Sequence, residues 1–455
     1  MNRQATAPLR WRSMGDADRL SWDYSDQIAE LVRAGLSEPE ARLVAEHRLA
    51  QVPASSASPK HLNASPQHLL EPVAAAQSQP KWVSLAVALG LALVSGLLVR
   101  LIFNQLLRGE VRIGEEAMIA NLFFATLPLI GIYFAWMRRI PWKATWWAIA
   151  AVALLALAVN LYPLLPGYQT VNNYMTGEAQ AQTGVLTALH LPVVLWLLVG
   201  AVFAATSGWH SNAGRLDFIR FTGEWVVFLI LTWLVGGAIT GIVIAAVNIA
   251  GINWWANDGF ISIIATLVPI WLFLSVWLAE QTRTIVTRVL SILTWVFTPL
   301  MTLALIIVFW VLASSGSLIR ADRDLLILLD GVLVLVLALA LYSISARNPA
   351  DPPQTFDWLQ FVMIALAVLM NLFALIWMFV RLAEFGWTAN RAAALGLNLV
   401  LMGNLVWTAW LLLKFLRSNL AFARIIKWQT SYLPIYAIWA GLVVLVFPLI
   451  FSVRW

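Results

Sequence analysis

The chain has 455 residues, 61% of them hydrophobic and 11% charged, with a net charge of +6 and no cysteine. A soluble domain is nearer half apolar and a quarter charged, so this composition excludes an ordinary soluble globular protein. The missing thiols exclude disulfides, thiolate nucleophiles, cysteine-ligated clusters and c-type haem attachment.

Residues 1–80 are polar. No basic patch followed by a short apolar run opens the chain, so a secretory signal is not expected. Residues 24–34 read as a helix, with Ile28, Leu31 and Val32 at i, i+3 and i+4 and Gly35 placed to end it. A second helix opens at Ser37, which can cap, with Pro39 tolerated in the first turn and Glu40 at the capping-box position. Leu43, Val44 and His47 line one face of it. Two such helices bury too little to stand alone and should dock on a partner or on membrane-proximal loops. Residues 51–80 are rich in Pro, Ala, Ser and Gln and read as a linker, with His61 and His68 solvated. The expected division is a helical prefix over 1–50, this linker, and a transmembrane domain over 81–455.

Eleven long apolar runs follow, at 82–107, 117–137, 143–165, 185–206, 223–249, 260–279, 286–313, 324–345, 357–380, 393–416 and 432–451. About 20 residues at 1.5 Å rise cross a bilayer core. In lipid every backbone amide must be satisfied within the segment, which selects helices. A barrel would need short alternating runs, whereas residues 325–341 are apolar on every face. The fold class is therefore an all-α polytopic bundle. Among the 25 tryptophans, Trp82, Trp142, Trp146, Trp147, Trp254, Trp255, Trp358 and Trp455 fall at span ends, where an indole suits the headgroup level.

The loops carry an orientation signal. With a cytoplasmic N-terminus, the cytoplasmic loops hold 12 Lys and Arg, including Arg138, Arg139, Arg347, Lys414 and Lys427, against 7 on the other side. The positive-inside rule then predicts the N-terminus in and the C-terminus out. The basic residues serve orientation; no basic patch interleaves with exposed aromatics, so nucleic acid is not an expected partner. Membrane lipids are, together with other membrane proteins or a second copy.

Few polar groups lie inside the spans. Arg100 sits in the first and can snorkel along its stem. Asn121, Asn160, Asn371, Asn398 and Asn404 suit interhelical hydrogen bonds. Asp330 lies six residues past Asp324, about 9 Å deeper, and is either paired or protonated, or couples a proton or ion. Gly237, Gly241 and Ala245 form a small-residue seam for close packing, within the chain or between copies. Pro269 and Pro299 each free a carbonyl four residues back, at Ala265 and Trp295. His190 and His210 bracket the fourth span, about 30 Å apart, too far to share a metal. No phosphate loop, nucleophile elbow or zinc-protease motif occurs, so neither a cofactor nor an enzyme activity is expected.

The loop after the ninth span reads Arg381-Leu-Ala-Glu-Phe-Gly-Trp-Thr-Ala-Asn-Arg391. It resembles the R-I-x-E-Y-G-L-T-x-N-R signature of the bacterial membrane proteins grouped as domain-of-unknown-function family 4153 (DUF4153). Arg381, Glu384, Gly386, Thr388, Asn390 and Arg391 match, while Phe385 stands for Tyr and Trp387 for Leu. The resemblance covers about residues 210–416, including the amphipathic stretch 216–224, and implies a multi-span fold without an established activity. Residues 25–50 resemble the helical prefix of some bacterial permeases. Physically, Gly386 permits a turn, Asn390 can cap the next helix, and Glu384 has two arginines within reach. The loop is either a capped hairpin pinned by Glu384 or an anion site at a helix start. Two function classes stay open: a transporter-like or lipid-handling protein carrying Arg381, Glu384, Asn390, Arg391, Asp330 or Arg100 at its site, and a non-catalytic scaffold or partner subunit.

Overall fold

The computed structural model describes residues 80–107, 115–164, 183–207, 211–251, 258–314 and 323–451. The expected prefix, the linker, Trp254, Trp255, Trp455 and His210 lie outside them. The described residues form thirteen α-helices and two short 3-10 turns, and no strand occurs among them. The helices are α1 (Lys81–Leu107), α2 (Glu115–Phe124), α3 (Leu127–Met137), α4 (Trp142–Leu161), α5 (Thr183–Phe203), α6 (Asn212–Ile249) and α7 (Asp258–Gln281). They continue with α8 (Arg283–Ser314), α9 (Arg323–Ala346), α10 (Thr355–Phe385), α11 (Ala389–Leu416), α12 (Ala423–Leu445) and α13 (Phe447–Phe451). Eleven spans are long and apolar enough to cross a membrane, α2 with α3 and α12 with α13 each making one. The chain is an all-α multi-pass membrane bundle.

Two helices begin earlier than their apolar runs. α6 starts at Asn212 and α12 at Ala423, ahead of the expected 223 and 432. Hydropathy marks only the lipid-crossing part of a helix, while the backbone continues wherever the polar segment packs. In α6 the extra turns bury Phe218, Ile219 and Phe221, spaced to share one face.

Two cores result. The first joins α1 to α7 around Tyr133, Phe134, Phe203, Phe221 and Phe273, all fully buried. Phe134 meets Phe203 and Phe221 edge-on, each at 5.1 Å, a geometry that brings positive ring edges to negative faces. The second joins α8 to α11 around Leu333, Val336, Met363 and Leu412. α12 belongs to both: Ile425 and Ile426 lie in the second core, Ala440 and Val444 in the first.

Small residues line the seam between α1 and α7. Ser84, Ala88, Ala92 and Gly96 recur every fourth residue on α1, and all four are buried. They face α7, where a Cβ on Gly96 would come within 2.5 Å of the Thr266 carbonyl oxygen. Trp277 donates to Ser84 Oγ at 3.1 Å and closes one end of this seam. Gly237 and Gly241, by contrast, have nothing within 4 Å of an added Cβ, and Ala245 is exposed. That seam makes no contact among the described residues. Trp82, Trp142, Trp146 and Trp358 are exposed at helix starts, as anchoring at the headgroup level requires.

Candidate functional site

The ends of the bundle differ. One end gathers Arg138, Asp217, Glu280, Arg347 and Asp357. Arg138 Nη2 lies 3.5 Å from Glu280 Oε1 and 3.7 Å from Asp217 Oδ2. Its guanidinium stacks 3.5 Å over the Phe203 ring. Arg220 donates from Nε to the Ser345 carbonyl at 2.5 Å, tying α6 to α9. Arg347 donates to both Asp357 oxygens at 2.8 Å, with the Phe415 and Phe422 rings 4.7 and 4.4 Å away. Asp357 also accepts from the Gln354 backbone N–H at 2.7 Å and so closes the capping box of α10. These contacts lock helix ends together across both cores.

A cavity of about 330 Å³ opens beside this end, between α4, α5, α12 and the start of α6. Its walls are apolar, with Leu154, Leu198, Ala201, Ala437 and Ile438 among them, and Arg215 is the one charged residue in its lining. Leu154 and Ile438 are more than half exposed, so the groove has an open side facing outward from the bundle. It follows α12 from Leu433 to Leu445, about 18 Å of helical rise. The position of Arg215 has a local cause. Pro434 lies inside α12 and brings no N–H for the Thr430 carbonyl four residues back. Arg215 Nη1 donates to that carbonyl at 3.3 Å, which holds the guanidinium at the groove's end. Thr430 in turn donates to Asn212 Oδ1 at 2.8 Å, fixing the start of α6 against α12. Sequence reasoning counted Arg215 only as a loop charge. The available signals were Pro434 inside an apolar run and the helical periodicity that extends α6 back through residue 216.

At the opposite end lies the 381–391 hairpin. Gly386 has φ +72° and ends α10, as its turn role requires. The cap of α11 is Thr388, whose hydroxyl accepts from the Arg391 backbone N–H at 3.5 Å. Asn390 lies one residue inside the helix, not at the expected cap position. Arg391 Nη1 donates to the Phe385 and Gly386 carbonyls at 2.7 and 2.8 Å. Its guanidinium lies 5.4 Å from the Phe385 ring, and that of Arg381 lies 5.9 Å from the same ring. Glu384 is exposed and forms no ion pair among the described residues, so it does not pin the loop. The main-chain carbonyls of α10, satisfied by Arg391, do so instead.

Asp330 and Arg100 do not meet. Arg100 lies on the exposed face of α1 and forms no ion pair among the described residues. Asp330 Oδ1 accepts from Asn398 Nδ2 at 2.6 Å. Asn398 Nδ2 also donates to the Ala394 carbonyl at 2.9 Å, and the Asn398 carbonyl accepts from Asn371 Nδ2 at 3.1 Å. The other span amides form reciprocal pairs: Asn121 with Asn160 at 2.8 and 3.0 Å, and Asn404 with Gln429 at 3.1 Å in both directions. Thr408 accepts from Gln429 at 2.6 Å and completes the second pair. Gln429 was missed because it falls before the apolar run of its span. Among the described residues His190 bonds only within its own helix, Nδ1 lying 2.9 Å from the Leu186 carbonyl oxygen.

No family model matches this chain, and no curated protein or solved structure does.

Proposed function

We propose that this chain is a bacterial inner-membrane protein that binds an anionic amphiphile, a lipid with its acyl chain in the α4–α5–α12 groove and its headgroup at Arg215. The groove carries this reading: an apolar trough about 18 Å long with one guanidinium at its end. Moving a chain from bilayer to groove exchanges one apolar medium for another and gains little hydrophobic energy. Selectivity must then come from the headgroup, and a guanidinium matches phosphate or carboxylate oxygens. The loop charge bias supports an orientation with the Arg215 end at the cytoplasmic face and the C-terminus outside. The 381–391 loop supports membership of family 4153.

The test is lipid retention by purified full-length protein, read by native mass spectrometry after delipidation. Wild type should keep anionic lipid in preference to phosphatidylcholine. Arg215→Gln should lose that preference by about tenfold, the weight of one charge-assisted hydrogen bond. Ala201→Phe, which fills the trough, should lose both lipids. Equal retention by all three proteins would sink the reading. A scaffold role is favoured by the unpaired α6 face around Gly237 and Gly241. Equal retention together with a disulfide between copies of Gly241→Cys would select it.

A further inference from the structure

Among the described residues, the carboxylate deepest in the spans has no counter-charge. Asp330 pairs with no basic side chain among the described residues, and its one hydrogen-bond partner there is Asn398. Among the described residues the helices packed on α9 offer no charged group at its depth. α10 carries none between Asp357 and Arg381, α11 none between Arg391 and Lys414, and α8 none between Arg288 and Ser314. In α6 Asp217, Arg220 and Glu224 lie near the Arg347 end, as do Tyr342 of α9 itself and Arg424 and Lys427 of α12. The phenols of α12 lie closer: Tyr432 donates to the Val400 carbonyl, two residues from Asn398, at 2.8 Å, and Tyr436 packs on the Tyr432 ring, but neither brings a positive charge. Asp324 of α9 lies two turns outward.

Two buried amide oxygens on the hydrogen-bonded chain that runs from Asp330 through Asn398 to Asn371 also lack a donor among the described residues. Asn371 and Asn398 are both fully buried, and Asn371 Oδ1 and Asn398 Oδ1 have no hydrogen-bond donor. The Asn398 amide cannot simply reverse, because that would set its oxygen against the Asp330 carboxylate. Asn371 is tied to the Asn398 carbonyl through Nδ2, so its free oxygen lies within one amide's width of the same residue. Each orphaned oxygen in an apolar interior carries an uncompensated desolvation penalty, and the uncompensated carboxylate carries a larger one. One added positive charge answers all three. A divalent ion would leave an excess charge in the same apolar place.

We propose that Asp330, Asn371 and Asn398 bind one monovalent cation within the membrane, held by the carboxylate and the two amide oxygens. A proton and a sodium ion share this chemistry. A proton on the free Asp330 oxygen gives an O–H that donates to an orphaned amide oxygen. A sodium ion is a hard cation and takes the same oxygens as ligands. The site stands independently of the groove, which lies against the first core.

The experiment uses the full chain in detergent, as wild type, Asp330→Asn and Asn371→Leu. Melting temperature is followed against sodium at constant ionic strength, with choline as the replacement ion. In sodium-free buffer the infrared carboxylic-acid band is followed against pH. A sodium-dependent rise in melting temperature identifies sodium, and titration of the component of the carboxylic-acid band that Asp330→Asn removes identifies the proton. Either signal should vanish in Asp330→Asn and weaken about tenfold in apparent affinity in Asn371→Leu, as for loss of one polar contact. If Asp330→Asn does not fold, Asn371→Leu carries the comparison alone. The proposal is overturned if neither signal occurs in the wild type. It is equally overturned if the band persists unchanged at every pH, or if the variants respond as the wild type does.

Discussion

Replacing Gly386 by alanine isolates the backbone strain of the 381–391 hairpin. Gly386 has φ +72° and ψ −175°, a region that is essentially glycine-only and costs other residues about 1–3 kcal/mol. A Cβ there meets nothing within 4 Å, so no steric clash adds to that figure. The backbone could relax, but the Phe385 and Gly386 carbonyls are aimed at Arg391 Nη1 at 2.7 and 2.8 Å. Turning them away gives up charge-assisted bonds worth about 1.5–3 kcal/mol when well shielded, and less at this exposed site. The expected loss for Gly386→Ala is therefore about 2 kcal/mol. Gly237→Ala is the matched control: an added Cβ also meets nothing, but the residue is helical, where alanine is favoured by up to about 1 kcal/mol. Arg391→Ala should cost about 1 kcal/mol, and the double variant should fall short of the sum by at least about 0.5 kcal/mol, because the two share the same carbonyls. Reversible unfolding in mixed micelles measures all four. If Gly386→Ala is as stable as Gly237→Ala, the hairpin is not held by this backbone geometry and the role given to Arg391 fails with it.

Three more tests address the packing that positions the sites. Asp357→Asn breaks the bidentate pairing of Arg347, which keeps the Asp351 and Pro352 carbonyls, and should cost about 1.5–3 kcal/mol, read in the same unfolding assay. Thr388→Ala should lose up to about 1 kcal/mol, the usual weight of an N-cap, whereas Asn390→Ala should show no capping loss; the reverse order would return the cap to Asn390. Gly96→Val should abolish the monodisperse folded peak in size-exclusion chromatography, since its Cβ would meet the Thr266 carbonyl at 2.5 Å, and Gly241→Val, with open space around it, should not.

Hydropathy and length alone determined the class of this protein and the number of its spans. In lipid an apolar segment of sufficient length has one way to satisfy its amides, so local sequence dictates helix. The Gly386 turn was legible for a similar reason, since a glycine between two long apolar runs marks the residue that must adopt positive φ. Partner choice was not local. Asn398 meets Asp330 and not Asn404, and Asn404 meets Gln429, because helix rotation and order set which amides face each other. Arg100 and Asp330 share a place inside apolar spans and carry opposite charge, yet Arg100 is exposed on α1 while Asp330 turns to Asn398 of α11. The close seam fell on Ala88, Ala92 and Gly96 and not on Gly237 and Gly241, although both stretches carry small residues four apart. Small side chains permit close approach from any neighbour, and only the assembled bundle selects which neighbour comes. The groove at Arg215 is the furthest from local sequence: it joins residues 147 to 445 through a carbonyl freed by Pro434 and a guanidinium more than 200 residues away, a juxtaposition that exists only once the helices have packed.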